Sequence, residues 1–98
     1  MKNILFTLAL LISFSSFGQT AEEYFSSGND KADAKDYYGA IADFTKAIEL
    51  NPNAADSYES RSISKESLGD LTGACADAKK AISLGSNSSV KWISENCN

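Results

Sequence analysis

The strongest constraint on this chain is internal. Shifted by 34 residues, the segment 21–54 overlays 55–88 with 14 of 34 positions identical, far above chance for unrelated segments. A period of this length marks a stack of equivalent supersecondary units, so the fold must be read unit by unit. The densest match sets GAIADFTKAIEL (39–50) over GACADAKKAISL (73–84).

Each unit reads as two helices. Tyr37, Ile41, Phe44 and Ile48 fall at i, i+4, i+7 and i+11, one stripe of a 3.6-residue period, and Leu71, Cys75, Ala78 and Ile82 repeat that spacing. Beside each stripe stand two alanines, Ala40 with Ala47 and Ala74 with Ala81, small enough for a neighbouring helix to approach closely. Asp36 and Asp70 are placed as N-caps, and Gly69 as the residue that closes the preceding helix. Asn51-Pro52-Asn53 breaks the chain between units, with Asn53 expected to cap the next helix, and Gly85-Ser86-Asn87 does the same after unit two. The first helices, 21–35 and 55–68, are weakly apolar and are expected to be the exposed layer. The last pair of a stack leaves a bare outer face, and a fifth helix within 87–97, carrying Val90, Ile93, Cys97 and Trp92, is expected to cap it. Trp92 is read as packing rather than as a stacking platform. With no strand alternation after residue 18, the domain is expected to be all-α.

The first 18 residues stand outside this scheme. Met1-Lys2-Asn3 is a short basic start, nine of the eleven residues 4–14 are apolar, and Ser16 and Gly18 sit at the minus-three and minus-one positions of a cleavage site. That is the layout of a secretory signal peptide, and the apolar run falls well short of the ~20 residues a membrane span needs. Residues 19–98 are therefore expected to be exported, to the periplasm or the exterior, without a stable membrane anchor after cleavage. Between 19 and 98 lie 8 basic and 13 acidic residues, a formal charge of −5. A nucleic-acid partner is excluded by that balance, since phosphate neutralisation needs a basic face.

Enzymatic chemistry is poorly supplied. The chain has no histidine, hence no Ser-His or Cys-His pair and no imidazole metal ligand. No glycine-rich phosphate loop occurs, the serines are expected at caps and outward faces, and isolated carboxylates on an acidic surface are expected to be solvated charges. Asn87-Ser88-Ser89 fits a glycosylation acceptor, a weak cue. The expectation is a non-enzymatic protein without metal or cofactor.

Two cysteines remain. An even count in an exported chain favours a bridge, and Cys75 and Cys97 each lie nine residues from the turn joining the last two helices, at Leu84 and Ser88. If those helices run antiparallel, both cysteines sit about 13 Å from the turn, level with each other. Two buried free thiols and a redox-active pair are the alternatives, the latter without Cys-x-x-Cys spacing to support it.

The unit pattern resembles the tetratricopeptide repeat, a 34-residue helix-turn-helix with preferred residues at positions 4, 8, 20, 24, 27 and 32. Unit one supplies Tyr24, Gly28, Ala40, Phe44, Ala47 and Pro52; unit two supplies Tyr58, Ser62, Ala74, Ala78, Ala81 and Ser86, of which Ser62, Ala78 and Ser86 depart from the pattern. Lys31 and Lys65 replace a frequent tyrosine, as in the small exported bacterial members that this chain is similar to. The resemblance implies an α-solenoid, a right-handed superhelix of two repeats (21–54 and 55–88) plus a C-terminal capping helix, within a domain spanning 19–98.

It also implies a function. In such proteins the first helices line a concave groove that takes an extended peptide or a partner helix, which makes this chain a protein-binding adaptor or scaffold. The corresponding positions are Glu22, Phe25, Ser26, Asn29, Ala32 and Asp33, then Asp56, Glu59, Ser60, Ile63, Glu66 and Ser67. Phe25, Asn29, Ser60, Ile63 and Ser67 are the candidate partner-binding residues. For Phe25 the competing reading is a cover over the end of its own unit; for Asn29 it is simple exposure. Phe25 stands where a carboxylate clamp needs lysine, which disfavours a C-terminal carboxylate ligand, and the surrounding acids favour a neutral or basic one. Self-association through exposed helix faces is the second expectation.

Overall fold

The computed structural model describes residues 18–98, so the expected signal segment lies, Gly18 apart, outside the described residues. Five α-helices follow one another: α1 (Ala21–Asp33), α2 (Tyr37–Leu50), α3 (Ala55–Ser67), α4 (Leu71–Ser83) and α5 (Val90–Asn96). Among the described residues there is no strand, and no helix is long and apolar enough to cross a membrane.

Local chemistry sets the boundaries. Thr20 opens α1 with a reciprocal cap, accepting from the Glu23 N–H at 3.1 Å while the Glu23 carboxylate accepts from the Thr20 N–H at 3.0 Å. Asp36 and Asp70 cap α2 and α4 as expected, accepting from the Gly39 and Gly73 N–H groups at 3.1 and 2.9 Å. Asn53 does not cap α3. Ala54 occupies that position without a side-chain bond, because the linker closes on itself through the Asn53 N–H donating to Asn51 Oδ1.

Helices α1, α3 and α4 each end on a left-handed residue, Lys35 (φ 65°), Gly69 (φ 83°) and Gly85 (φ 105°). At each end the following N–H reaches back to an orphan carbonyl, Asp36 to Lys31, Asp70 to Lys65 and Ser86 to Ala81. Gly69 thus plays its expected part. Unit one achieves the same turn with a lysine, which pays a steric cost glycine avoids.

Neighbouring helices pack in pairs, α1 on α2 and α3 on α4, consistent with two helical hairpins; α2 joins the pairs through α3, and α5 rests on α4. The core is small side chains around one ring: Ala40, Phe44, Ala47, Ala74, Ala78 and Ala81 are fully buried. The paired alanines therefore act as the sequence implied. The stripe of unit two does not bury throughout, since Leu71 is 45% exposed.

The departures at Ser62 and Ala78 form a matched exchange. In unit one a Cβ on Gly28 would stand 2.6 Å from Phe44 Cε1, so the ring requires glycine. Unit two replaces the ring by Ala78 and the glycine by Ser62, whose hydroxyl donates to the Ala74 carbonyl at 2.7 Å. Both pairs fill the same inter-helix space.

Two expectations fail here. Ser57, Ser62 and Ser64 on α3 are buried rather than outward, because the small-residue core draws α3 close enough to enclose them. Asp77, 5% exposed, is not a solvated charge: Arg61 donates two hydrogen bonds to it and Lys65 lies at 2.9 Å. Cys75 and Cys97 are bridged, with S–S 2.06 Å and Cα–Cα 5.8 Å, and the bridge fastens the end of α5 to α4.

Candidate functional site

The first helices of the two hairpins touch, and clefts open along their seam. Toward the C-terminal ends of α1 and α3 one cleft, about 280 Å³, is lined by Asn29, Ala32 and Asp33 of α1, Tyr37 and Phe44 of α2, and Ser60, Ile63, Ser64 and Ser67 of α3. Four of the five candidate residues, Asn29, Ser60, Ile63 and Ser67, therefore meet in one place. They meet because residues three, four and seven apart share a helix face.

Phe25 does not join them. It lies at the other end of the seam, in a shallow cleft with Ala21, Glu22, Asn51, Ala54, Asp56 and Ser57. Its ring sits 5.8 Å from that of Phe44, tilted by 49°, so it covers the core of its own unit.

The polar groups in the larger cleft differ in how far they are used. Ser67 donates to the Ile63 carbonyl at 3.0 Å. Asn29, half-buried, has no side-chain hydrogen bond among the described residues. Ser64 is 1% exposed, and its hydroxyl is the one buried side-chain oxygen among the described residues without a hydrogen-bond partner. An unpartnered buried hydroxyl costs free energy unless something from outside completes it. Ile63 beside it is 62% exposed, a large apolar side chain left in water.

A second cleft shares the Ile63 wall and runs between α3 and α5, lined by Glu59, Ser62, Ile63, Glu66, Ser88, Ser89 and Trp92. Trp92 does pack here, half-buried, but its indole N–H also donates to Glu66 Oε2 at 2.8 Å. Glu59 accepts hydrogen bonds from Ser86 and Ser88.

The basic residues face elsewhere. Lys31 pairs with Asp43, which also accepts from Ser27 at 2.6 Å. Burial pushes the Asp43 carboxyl up, but the Ser27 hydrogen bond and Lys31 outweigh it and hold the group below the usual aspartate value. The hydrogen bonds from Asp77 raise the Arg61 guanidinium against the opposing effect of burial, and the same guanidinium lies 5.6 Å from the centre of the Tyr58 ring. These pairs occupy the interior between helices, so no lysine or arginine lines either cleft.

Tyr37, Ser64 and Trp92 were not among the candidate residues. Tyr37 and Ser64 lie off the positions the repeat resemblance points to, and Trp92 lies beyond the repeats altogether. No family model matches the chain, and none of the curated proteins compared with it matches in sequence.

Proposed function

We propose that this chain is an exported module of the tetratricopeptide type, a right-handed stack of two repeats and a cap. It binds an extended polypeptide segment on the face formed by α1 and α3, as a non-enzymatic adaptor. The observation that carries the reading is the cleft in which Asn29, Ser60, Ile63 and Ser67 converge, with an exposed isoleucine beside an unsatisfied serine hydroxyl. An extended peptide offers both complements, apolar side chains and unpaired backbone groups. The Cys75–Cys97 bridge supports an oxidising compartment, in keeping with export.

Selection of a random octapeptide display library on the folded, oxidised protein tests the proposal. Enriched peptides should bind the wild type and lose about tenfold or more in affinity to an Asn29→Ala, Ile63→Ala double variant. Peptides indifferent to that variant would remove the groove.

Self-association is the second reading, supported by Tyr38 (77% exposed) and Leu50 (52% exposed) on α2. Light scattering across concentration separates the two, since a monomer that persists at high concentration is incompatible with stacking of copies.

A further inference from the structure

The two clefts that meet at Ile63 form one groove, crossing from the α1–α3 seam to the α3–α5 seam. Its charge is one-sided: Asp33, Glu59 and Glu66 line it, and no basic side chain does. The acids of the core, Asp43 and Asp77, each have a lysine partner. Glu59 and Glu66 have only neutral donors, Ser86 and Ser88 for the first and the Trp92 indole for the second. Neutral donors hold the carboxylates in place and leave their charge uncompensated.

Spacing adds a template. Glu59, Ile63 and Glu66 fall at i, i+4 and i+7 on α3, which puts an apolar side chain between two carboxylates about two turns apart. Trp92 faces this stripe across the cleft from α5. A cation held by carboxylates beside an aromatic ring gains both charge pairing and attraction to the ring face. At the other end of the groove, Ser64 carries a buried hydroxyl without a partner, and that hydroxyl calls for a hydrogen-bonding group from outside the chain.

From these observations we propose that the groove docks a basic segment of another polypeptide, with its backbone at the Ser64–Asn29 end, an apolar contact on Ile63, and a lysine or arginine side chain between Glu59, Glu66 and Trp92. The proposal rests on the groove reading given above and extends it: the cap helix becomes part of the recognition surface. A second copy of the chain is the poorer occupant, because residues 19–98 carry 8 basic against 13 acidic side chains and copies repel one another.

The chain contains a single tryptophan, so its indole N–H gives one assignable NMR signal at the site in question. The test takes the peptides enriched from the random octapeptide library, makes each with its lysines or arginines replaced by citrulline, and titrates both forms into oxidised 15N-labelled protein. Basic peptides should shift the Trp92 indole signal saturably. Citrulline replacement, Glu59→Gln or Glu66→Gln should each weaken binding about tenfold, and added salt should weaken it further. Glutamine keeps an acceptor for the indole N–H, so the cap stays in place while the charge is removed, and unchanged amide spectra verify this. Binders that need no basic residue, depend on Asn29 and Ile63 and leave the indole signal unmoved overturn this inference while the groove reading stands. Absence of any binder, or binding indifferent to all four residues, overturns both. An indole shift that appears on raising protein concentration alone makes a second copy the occupant and overturns the proposal.

Discussion

Arg61 on α3 and Asp77 on α4 are joined by two hydrogen bonds of 2.7 Å, the guanidinium fork matching both carboxylate oxygens. The same guanidinium donates to Thr45 of α2 at 3.1 Å, so one side chain ties the second hairpin together and fastens it to the first. With side chains only 17% and 7% exposed, the pair is nearly dry. Asp77→Ala would strand Arg61 and Lys65, and a loss of about 3–5 kcal/mol is expected in urea unfolding. The equivalent Asp43→Ala removes a pair whose lysine is 42% exposed and should cost about 1 kcal/mol or less. Equal losses would sink the idea that the buried fork holds unit two.

The exchange between Gly28–Phe44 and Ser62–Ala78 yields a second expectation. Gly28→Ser alone drives a side chain into the Phe44 ring and should destabilise, and Phe44→Ala alone should cost about 3–5 kcal/mol as a cavity. Combined, they install unit two's pair in unit one, and the double variant should lose less than the sum. Thermal unfolding of the four proteins measures the coupling; strict additivity would mean the two sites do not share space.

How much of this was legible beforehand follows from what periodicity reports. It reports burial by apolar side chains, so the helix stripes, the paired alanines and the caps at Asp36 and Asp70 could be read directly. The level placement of Cys75 and Cys97 could be read from rise per residue alone. Burial of Ser57, Ser62, Ser64 and Asp77 could not, because small and paired polar residues enter a core only when a partner on another helix receives them. Lys31 and Lys65 recur 34 residues apart, as do Asp43 and Asp77, and that recurrence was the available sign of a repeated ion pair. Phe25 misled for a related reason: an aromatic on a first helix reads as exposed until the ring it covers is seen. The α5 side of the groove was invisible, since nothing in the repeat period reaches Trp92.

Lys35 supplies a third expectation. It holds a left-handed conformation that Gly69 occupies in the equivalent turn of unit two. Lys35→Gly should therefore stabilise the chain by about 1 kcal/mol, while Gly69→Lys should destabilise by a similar amount. Opposite shifts in urea midpoint check this; a loss from Lys35→Gly would show that the lysine side chain contributes more than its backbone costs.

Asp43 supplies a fourth, in pH. Burial raises its pKa, but the Ser27 hydrogen bond and Lys31 bring the folded value below that of the unfolded chain, about 3.9. Its contribution to stability is thus fully present above that unfolded value and is lost as pH falls through the folded one. Unfolding midpoints measured from pH 6 down to pH 2 should drop below about pH 4, and Asp43→Asn should flatten that drop. An unchanged slope in the variant would assign acid sensitivity to other carboxylates.

The bridge at the C-terminal end has a consequence for how this surface can change. Helix α5 is seven residues long, lacks a side-chain N-cap bond and has no buried residue, so packing does little to hold it. A covalent tie to Cys75 supplies what packing does not, closing a 22-residue span for about 3 kcal/mol. Substitutions along α5 therefore put little of the fold at risk. The cap is the part of the molecule most open to variation, and a lineage of such chains can retune what it recognises there while leaving the two hairpins untouched.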